Sequence, residues 1–534
     1  MNVLLVIHIL GALAILLSGA MLPSLGIAWF GEADPLVSTR ATHAFATTII
    51  LSATAGIAMF FGTRNHAGDH LHVQDGFAVT AFGWILMAAL GAIPFYLCRD
   101  VSGMLVLDSA PGSTPAPSLS WLDAYFETMS GFTTTGASVF GTARSAGGNG
   151  LIEAMPASLL FWRSMTHWLG GMGIIVLCLA ILPALRTGVY QMFAAEVPGP
   201  TAERLRPRIR ETAAILWGVY VVFSVAEVLL LWLGKMPLLD AFCHMCGTMA
   251  TGGFSTKDAS IGHYAMSGHP GALYFEIVII IFMFLAGCNF LLHYQALKGA
   301  LGYHRNGEFR FYGVLLALSI LIATVMLRLG GGAAQDGWGD ALRAATFQVL
   351  SITTTTGYVT EDFNLWPGFC RCLLVVLMFF GGCAGSTGGG LKQIRILVTG
   401  KYVLRELRRL LRPRLTTYIR VGSEIIEART LRTILSLVLL YVIIFTVATL
   451  GVMLCLDLTG AAAASQPDSV LVTATTAVAA TLNNIGPGLS GVGATGNYGA
   501  MPACAKVILT LCMLMGRLEV YTVLVILLPT AWRG

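Results

Sequence analysis

The feature that most constrains this chain is a recurrence of apolar stretches about twenty residues long, the length an α-helix needs to cross the hydrocarbon layer of a bilayer. They fall at 3–28, 42–62, 76–97, 157–183, 212–234, 272–297, 311–329, 369–398, 432–456 and 501–530. Charge points the same way. Of 534 residues 56% are hydrophobic and only 11% charged, too few to clothe a water-facing surface of this size. The expectation is an all-α polytopic membrane protein with about ten spans. Asn2 to Ala20 lacks a basic n-region and its apolar run continues to Phe30, so it reads as a retained span rather than a signal peptide.

An even number of spans puts both termini on one side, and the basic residues say which. Segment 186–210 holds five Lys and Arg, 298–310 three and 392–432 eleven of the thirty-two, whereas Asp457 to Met501 holds none. By the positive-inside rule the dense segments and both termini are cytoplasmic. The net charge of +5 is placed for topology, and nucleic acid is excluded as a partner. Eleven scattered cysteines give no disulfide framework. Cys243-His244-Met245-Cys246 lacks the second ligand pair a structural zinc needs, so no transition-metal site is expected.

Four of the outer stretches contain a further apolar segment too short to span. Each opens at an aspartate, Asp123, Asp240, Asp340 or Asp468, and closes in a polar turn: Thr133-Thr134-Thr135-Gly136, Ala250-Thr251-Gly252-Gly253, Thr354-Thr355-Thr356-Gly357 and Asn483-Asn484-Ile485-Gly486. Aspartate is a favoured N-cap, so each segment is expected to be a short re-entrant helix entering from outside. The unit helix, short helix, glycine turn, helix thus repeats four times. Irregular backbone at membrane depth is tolerated only where it is buried or lines a water-filled cavity, and four units around one axis would make a pore. Glycine accepts backbone angles closed to other residues, so neighbouring carbonyls can replace part of a cation's hydration shell. The C-terminal end of each helix dipole adds partial negative charge. One such glycine per copy implies fewer binding sites than a long stacked filter.

These turns resemble the selectivity-filter loops of the Trk/Ktr/HKT superfamily of potassium transporters, and the two extra N-terminal helices resemble its Trk-type membrane subunit. Further agreement comes from Trp162-Arg163-Ser164, Trp168 to Gly173, Gly287-Cys288-Asn289, the run Gly381 to Gly390, and Gly516-Arg517-Leu518-Glu519. The resemblance implies that Thr134, Thr135 and Gly136, Thr251, Gly252 and Gly253, Thr355, Thr356 and Gly357, and Asn484, Ile485 and Gly486 form the potassium filter. Glycine at all four filter positions goes with potassium preference in that family. Thr251-Gly252 departs from its common Asn-Ala pair.

The run Gly381, Gly382, Cys383, Ala384, Gly385, Ser386, Thr387, Gly388, Gly389, Gly390 interrupts an apolar span, and each glycine costs a helix about 1 kcal/mol against alanine. It is expected to unwind, and the resemblance implies a gate loop below the filter; close helix packing through small residues is the alternative. Arg517 lies deep in the last span, where a charge needs a cavity or a partner. The resemblance places it under the filter, repelling cations or holding the loop, with an ion pair to Glu519 or Glu227 as the structural alternative. Arg163 reads as snorkelling or packing, and His167, His244 and His293 as hydrogen-bonded bystanders.

The implied division is two accessory helices at 1–70, pore repeats at 71–185, 186–300 and 301–400, a cytoplasmic basic linker at 401–431 and a fourth repeat at 432–534. The basic loops, with Arg405, Arg408, Arg409, Arg412 and Arg414 close together, face anionic headgroups by default. The resemblance adds a homodimer and a cytoplasmic TrkA-like ring that carries the nucleotide, ATP/ADP or NAD, so that this chain needs no cofactor besides the transported potassium ion. The function implied is potassium uptake across a bacterial cytoplasmic (inner) membrane. A cation-coupled secondary transporter of another small solute is the alternative, and no nucleophile, base or metal set for an enzyme is visible.

Overall fold

In the computed structural model the described residues are 1–32, 34–66, 72–99, 119–141, 152–173, 209–300, 302–330, 337–412, 418–422, 424–460, 467–529 and 532. Among the described residues the regular structure is helical apart from a hairpin that pairs Arg420–Val421 with Glu424–Ile425. Among the described residues six helices are long and apolar enough to span a bilayer: Val3–Phe30, Pro35–Gly62, Gln74–Leu97, Ala213–Leu233, Gly307–Leu329 and Ala428–Leu458. Two helix pairs are apolar and long enough only when taken together and are sharply bent, Ala272–Ala286 with Phe290–Leu297 at 103° and Ala503–Arg517 with Glu519–Leu527 at 118°. The stretch 369–398 is broken: helix Gly368–Met378 ends, residues 379–392 are non-helical, and helix Gln393–Leu411 follows. That last helix crosses the boundary drawn at 400/401, so residues 401–411 of the expected linker continue a helix. The stretch 157–183 is described as helix Ala157–Gly171 and two further residues; residues 174–183, the basic segment 186–208, Arg414 and Arg533 lie outside the described residues.

The four short helices are Trp121–Phe132, Leu238–Met249, Trp338–Thr353 and Pro467–Leu482, of 12, 12, 16 and 16 residues. At a rise of about 1.5 Å per residue none reaches across a bilayer core. Their aspartates sit inside the first turn rather than at the cap. Ser120 caps the first helix and Asp123 reaches back to the Ser120 N–H, the reciprocal pairing of a capping box, while Pro237 and Gly337 precede the second and third. An acid at that third position still meets the positive end of the helix dipole.

Packing closes these units into a cycle. Helix Ala157–Gly171, which follows the first short helix, packs on the second; Ala272–Ala286 packs on the third; Gly368–Met378 packs on the fourth; and Ala503–Arg517 packs back on the first. The N-terminal helices Val3–Ala20 and Pro35–Gly62 pack on one another and on Val73–Leu97, outside the cycle.

Candidate functional site

Each short helix ends in the same way. A backbone N–H reaches five residues back, from Thr135 to Ser130, Gly252 to Gly247, Thr356 to Ser351 and Ile485 to Ala480, at 2.7–2.9 Å. This is the Schellman closure, and it requires a left-handed residue just before the donor. That residue is usually glycine, yet here it is Thr134, Thr251, Thr355 and Asn484, with φ of 54°, 55°, 61° and 53°. Two residues on, Gly136, Gly253, Gly357 and Gly486 are again left-handed, at 75°, 78°, 79° and 99°. Two reversals in three residues turn the chain sharply without further helix, and the sites are buried among packed neighbours.

The four glycines meet across the repeats. A Cβ on Gly136 would collide with the Gly252 carbonyl oxygen, one on Gly253 with that of Thr356, and one on Gly357 with that of Ile485. A Cβ on Gly486 would lie 2.7 Å from the Thr135 oxygen, which closes the cycle. Four carbonyls, each from the residue before a glycine, therefore form one ring in which every glycine makes room for its neighbour's oxygen. Sequence reasoning assigned the carbonyls on both sides of each glycine to the ring. At the fourth copy the Tyr498 hydroxyl also donates to the Gly486 carbonyl at 2.7 Å.

Two cavities lie against these elements. One, of about 100 Å³, is lined by all four glycines together with Arg163 and Tyr498. The other, of about 80 Å³, is lined by Gly385, Ser386, Gly388, Lys392 and Arg517 among others. Between them runs the non-helical segment. The Gly389 N–H donates to Thr355 Oγ1 at 2.7 Å, and a Cβ on Gly388 would lie 3.2 Å from the Thr354 carbonyl, so the segment lies directly against the third turn.

Charged side chains hold that segment. Arg517 Nη1 donates to the Thr387 carbonyl at 2.7 Å, and Nη2 donates to those of Gly170 and Gly171 at 2.5 and 2.6 Å. The guanidinium fork thus ties the loop to the end of helix Ala157–Gly171, while Glu519 pairs with Arg395 at 2.6 Å. Lys392 Nζ donates to the Gly388 carbonyl and Gln393 Nε2 to that of Gly381. Buried Glu308 accepts from both Ala384 N–H (2.8 Å) and Ile394 N–H (3.0 Å) through one oxygen.

Other residues escaped the sequence reading. Arg163, expected to snorkel or pack, is buried, with Nε donating to Glu127 Oε1 at 2.7 Å and Nη1 to the Ser255 carbonyl at 3.0 Å. Glu127 in turn accepts from the Val139 N–H and the Ser138 hydroxyl, beyond the first glycine. Tyr358, next to Gly357, donates to the His244 carbonyl at 2.8 Å, linking the third turn to the second short helix. Asn484 Nδ2 donates to Thr135 Oγ1 at 2.9 Å, linking the fourth turn to the first. Tyr358 stands next to Gly357 and Asn484 two residues before Gly486, whereas nothing local marks Arg163 or Glu127, whose bonds to one another and to Ser255 cross between elements.

A cyclic helical membrane protein with a carbonyl ring at its centre and an arginine-held loop beneath it has the architecture of a cation transport protein. The comparisons with known proteins give the same class. A family model described as "Cation transport protein" matches residues 38–531, and the chain belongs to this TrkH family. It is 38% identical over 531 residues to a protein of Salmonella typhimurium named "Trk system potassium uptake protein TrkH", with 98% of each chain covered. It is 32% identical over 537 residues to the Escherichia coli "Trk system potassium uptake protein TrkG", covering 100% of this chain and 99% of that one. The crystal structure of the potassium transporter TrkH from Vibrio parahaemolyticus superposes with a TM-score of 0.80 at 34% identity, covering all of both chains. The protein is a polytopic membrane transporter and not an enzyme.

Proposed function

We propose that this chain carries potassium into the cell through the ring of Thr135, Gly252, Thr356 and Ile485 carbonyls. The observation that supports this best is the closure of that ring. Four neutral oxygens supplied by four copies of one turn suit a dehydrated monovalent cation, since a ring of carboxylates would hold a multivalent ion more tightly. The names of the relatives supply the ion. Residues 134–136, 251–253, 355–357 and 484–486 then make up the filter. The segment Gly381 to Gly390 is the gate, with Arg517 holding it closed below the ring and adding a positive charge on the ion's path.

In the same reading the accessory helices occupy 1–70 and the repeats 71–185, 186–300, 301–400 and 432–534, and the membrane is the bacterial inner membrane with both termini in the cytoplasm. The charged face near Arg405, Arg408 and Arg409 docks a nucleotide-binding TrkA-like ring, and two copies of the chain pair as a homodimer. The nucleotide stays on that partner. The alternative of a secondary transporter with inverted repeats fits poorly, because the four units here follow one another in a single cyclic sense.

The test is rubidium uptake into liposomes that contain only this chain, driven by a potassium gradient. Uptake that sodium competes with weakly is the expected result. Absence of monovalent cation flux in well-folded protein would end the reading, and strict dependence on a proton or sodium gradient would replace a channel-like path by symport.

A further inference from the structure

His167 occupies the junction between the first and second turns. It is fully buried on helix Ala157–Gly171, one turn beyond Arg163. Its Nδ1 lies 2.7 Å from the Gly131 carbonyl, and its Nε2 lies 3.1 Å from the Phe254 amide nitrogen. Gly131 belongs to the last turn of the first short helix, and its carbonyl also accepts from the N–H of left-handed Thr134. Phe254 directly follows Gly253. One side chain therefore touches both turns whose glycines meet in the ring.

The partners fix the chemistry of the ring nitrogens. A carbonyl can only accept, so Nδ1 carries the proton; a peptide N–H can only donate, so Nε2 is bare. Among the forms of imidazole, the neutral Nδ1–H tautomer alone satisfies both contacts. The cation would set Nε2–H against the Phe254 N–H.

Packing reinforces the hydrogen bonds. The imidazole stacks on Phe254 with centroids 4.1 Å apart, and the Arg163 guanidinium lies 3.6 Å from the centre of the same phenyl ring. A Cβ on Gly252 would come within 2.5 Å of the imidazole Cγ, so glycine at 252 makes room for this ring. The Gly252 carbonyl is the oxygen that abuts Gly136. The line of contact thus runs from Gly131 through His167 and Gly252 to Gly136.

We propose that His167, as the neutral Nδ1–H tautomer, is a positioning residue for ion discrimination that sets the spacing between the first and second filter turns. The proposal rests on the reading of the glycine ring as the filter. The Tyr358 and Asn484 bonds do the corresponding work at two other junctions.

The test compares wild type, His167→Phe and His167→Gln in liposomes, reading sodium inhibition of rubidium uptake beside total uptake, with Gly136→Ser as the filter control. Phenylalanine keeps the stack on Phe254 and loses both hydrogen bonds, whereas glutamine offers an amide donor and an acceptor. Discrimination is expected to fall about fivefold or more in His167→Phe, the worth of one net hydrogen bond, and to recover largely in His167→Gln. Unchanged discrimination in His167→Phe, with loosened discrimination in Gly136→Ser, would overturn the role of His167 alone. No change in either variant would overturn the filter reading and this proposal with it. Should His167→Phe fail to accumulate, nitrogen-15 NMR of the wild-type histidines decides: a resonance pair for His167 that reports a cation or an Nε2–H tautomer sinks the proposal, and the Nδ1–H pattern supports it.

Discussion

Arg163 Nε and Glu127 Oε1 form a 2.7 Å ion pair in which both side chains are buried, between the helix that follows the first short helix and the short helix itself. Each partner also reaches past a glycine turn, Glu127 to Val139 and Arg163 to Ser255. Removing one member of such a pair leaves a buried charge and costs about 3–5 kcal/mol, while replacing both can cost far less. Glu127→Ala and Arg163→Met are each expected to lower the thermal midpoint in detergent markedly, and the double variant to lower it by less than the sum. Additive losses would show that the two side chains act separately.

Gly136→Ser tests the ring itself. A side chain there meets the Gly252 carbonyl, and the residue must keep a φ of 75°. The left-handed conformation costs an ordinary residue about 1–2 kcal/mol, so the turn is expected to relax and widen the ring rather than hold the native spacing. Sodium inhibition of rubidium uptake should strengthen about tenfold, equivalent to about 1.4 kcal/mol of lost discrimination. Retention of wild-type competition by a folded variant would count against Gly136 as a filter residue.

The spans and the four turns were legible because their signals are local: apolar length for the spans, and polar residues ending in glycine for the turns. Local reading also placed Asp123 at the start of its helix, but could not tell the cap from the third position, since Ser120 and Asp123 both carry capping oxygens. The turns that supply the ring oxygens were legible, but which oxygen abuts which glycine was not. The Tyr498 hydroxyl bonds the Gly486 carbonyl from twelve residues along the chain, and only the folded backbone shows it. His167 and Arg163 likewise take meaning from Phe254 and Ser255, almost ninety residues or more away in sequence. A lone buried histidine or arginine in an apolar helix carries no mark of which turn it supports.

Glu308 clasps the gate segment to the helix that follows it, because one carboxylate oxygen accepts from Ala384 in the segment and from Ile394 in helix Gln393–Leu411. Glu308→Ala leaves two partly buried N–H groups without that acceptor, each worth up to about 1–3 kcal/mol. The segment should then loosen and expose Cys383, which is 2% exposed in the structure. Maleimide labelling of Cys383, in protein whose other cysteines are replaced, should rise severalfold; labelling as slow as in the parent would show that the clasp is dispensable.

Shortening the segment between Ala384 and Gly388 separates gating from packing. A gate made shorter leaves the path open, so flux should become less dependent on any regulator while the fold persists. A segment whose small residues only let helices approach should instead cost stability and flux together. The deciding measurement is basal rubidium flux set beside the thermal midpoint of the same preparation.

Arg517 spans three carbonyls on two elements, those of Thr387, Gly170 and Gly171, and so it joins the gate segment to a fixed helix end. Only a planar fork with several donors does this, and lysine offers one charged point on a flexible stem. Arg517→Ala is expected to raise basal rubidium leak severalfold in liposomes that lack any cytoplasmic partner, because the loop loses its tie and the path its positive charge. Arg517→Lys should restore the charge without the three-way tie. If repulsion governs closure, the lysine variant will leak as little as wild type; if the tie governs it, the lysine variant will leak nearly as much as alanine. Equal basal leak in all three proteins would remove Arg517 from the gate.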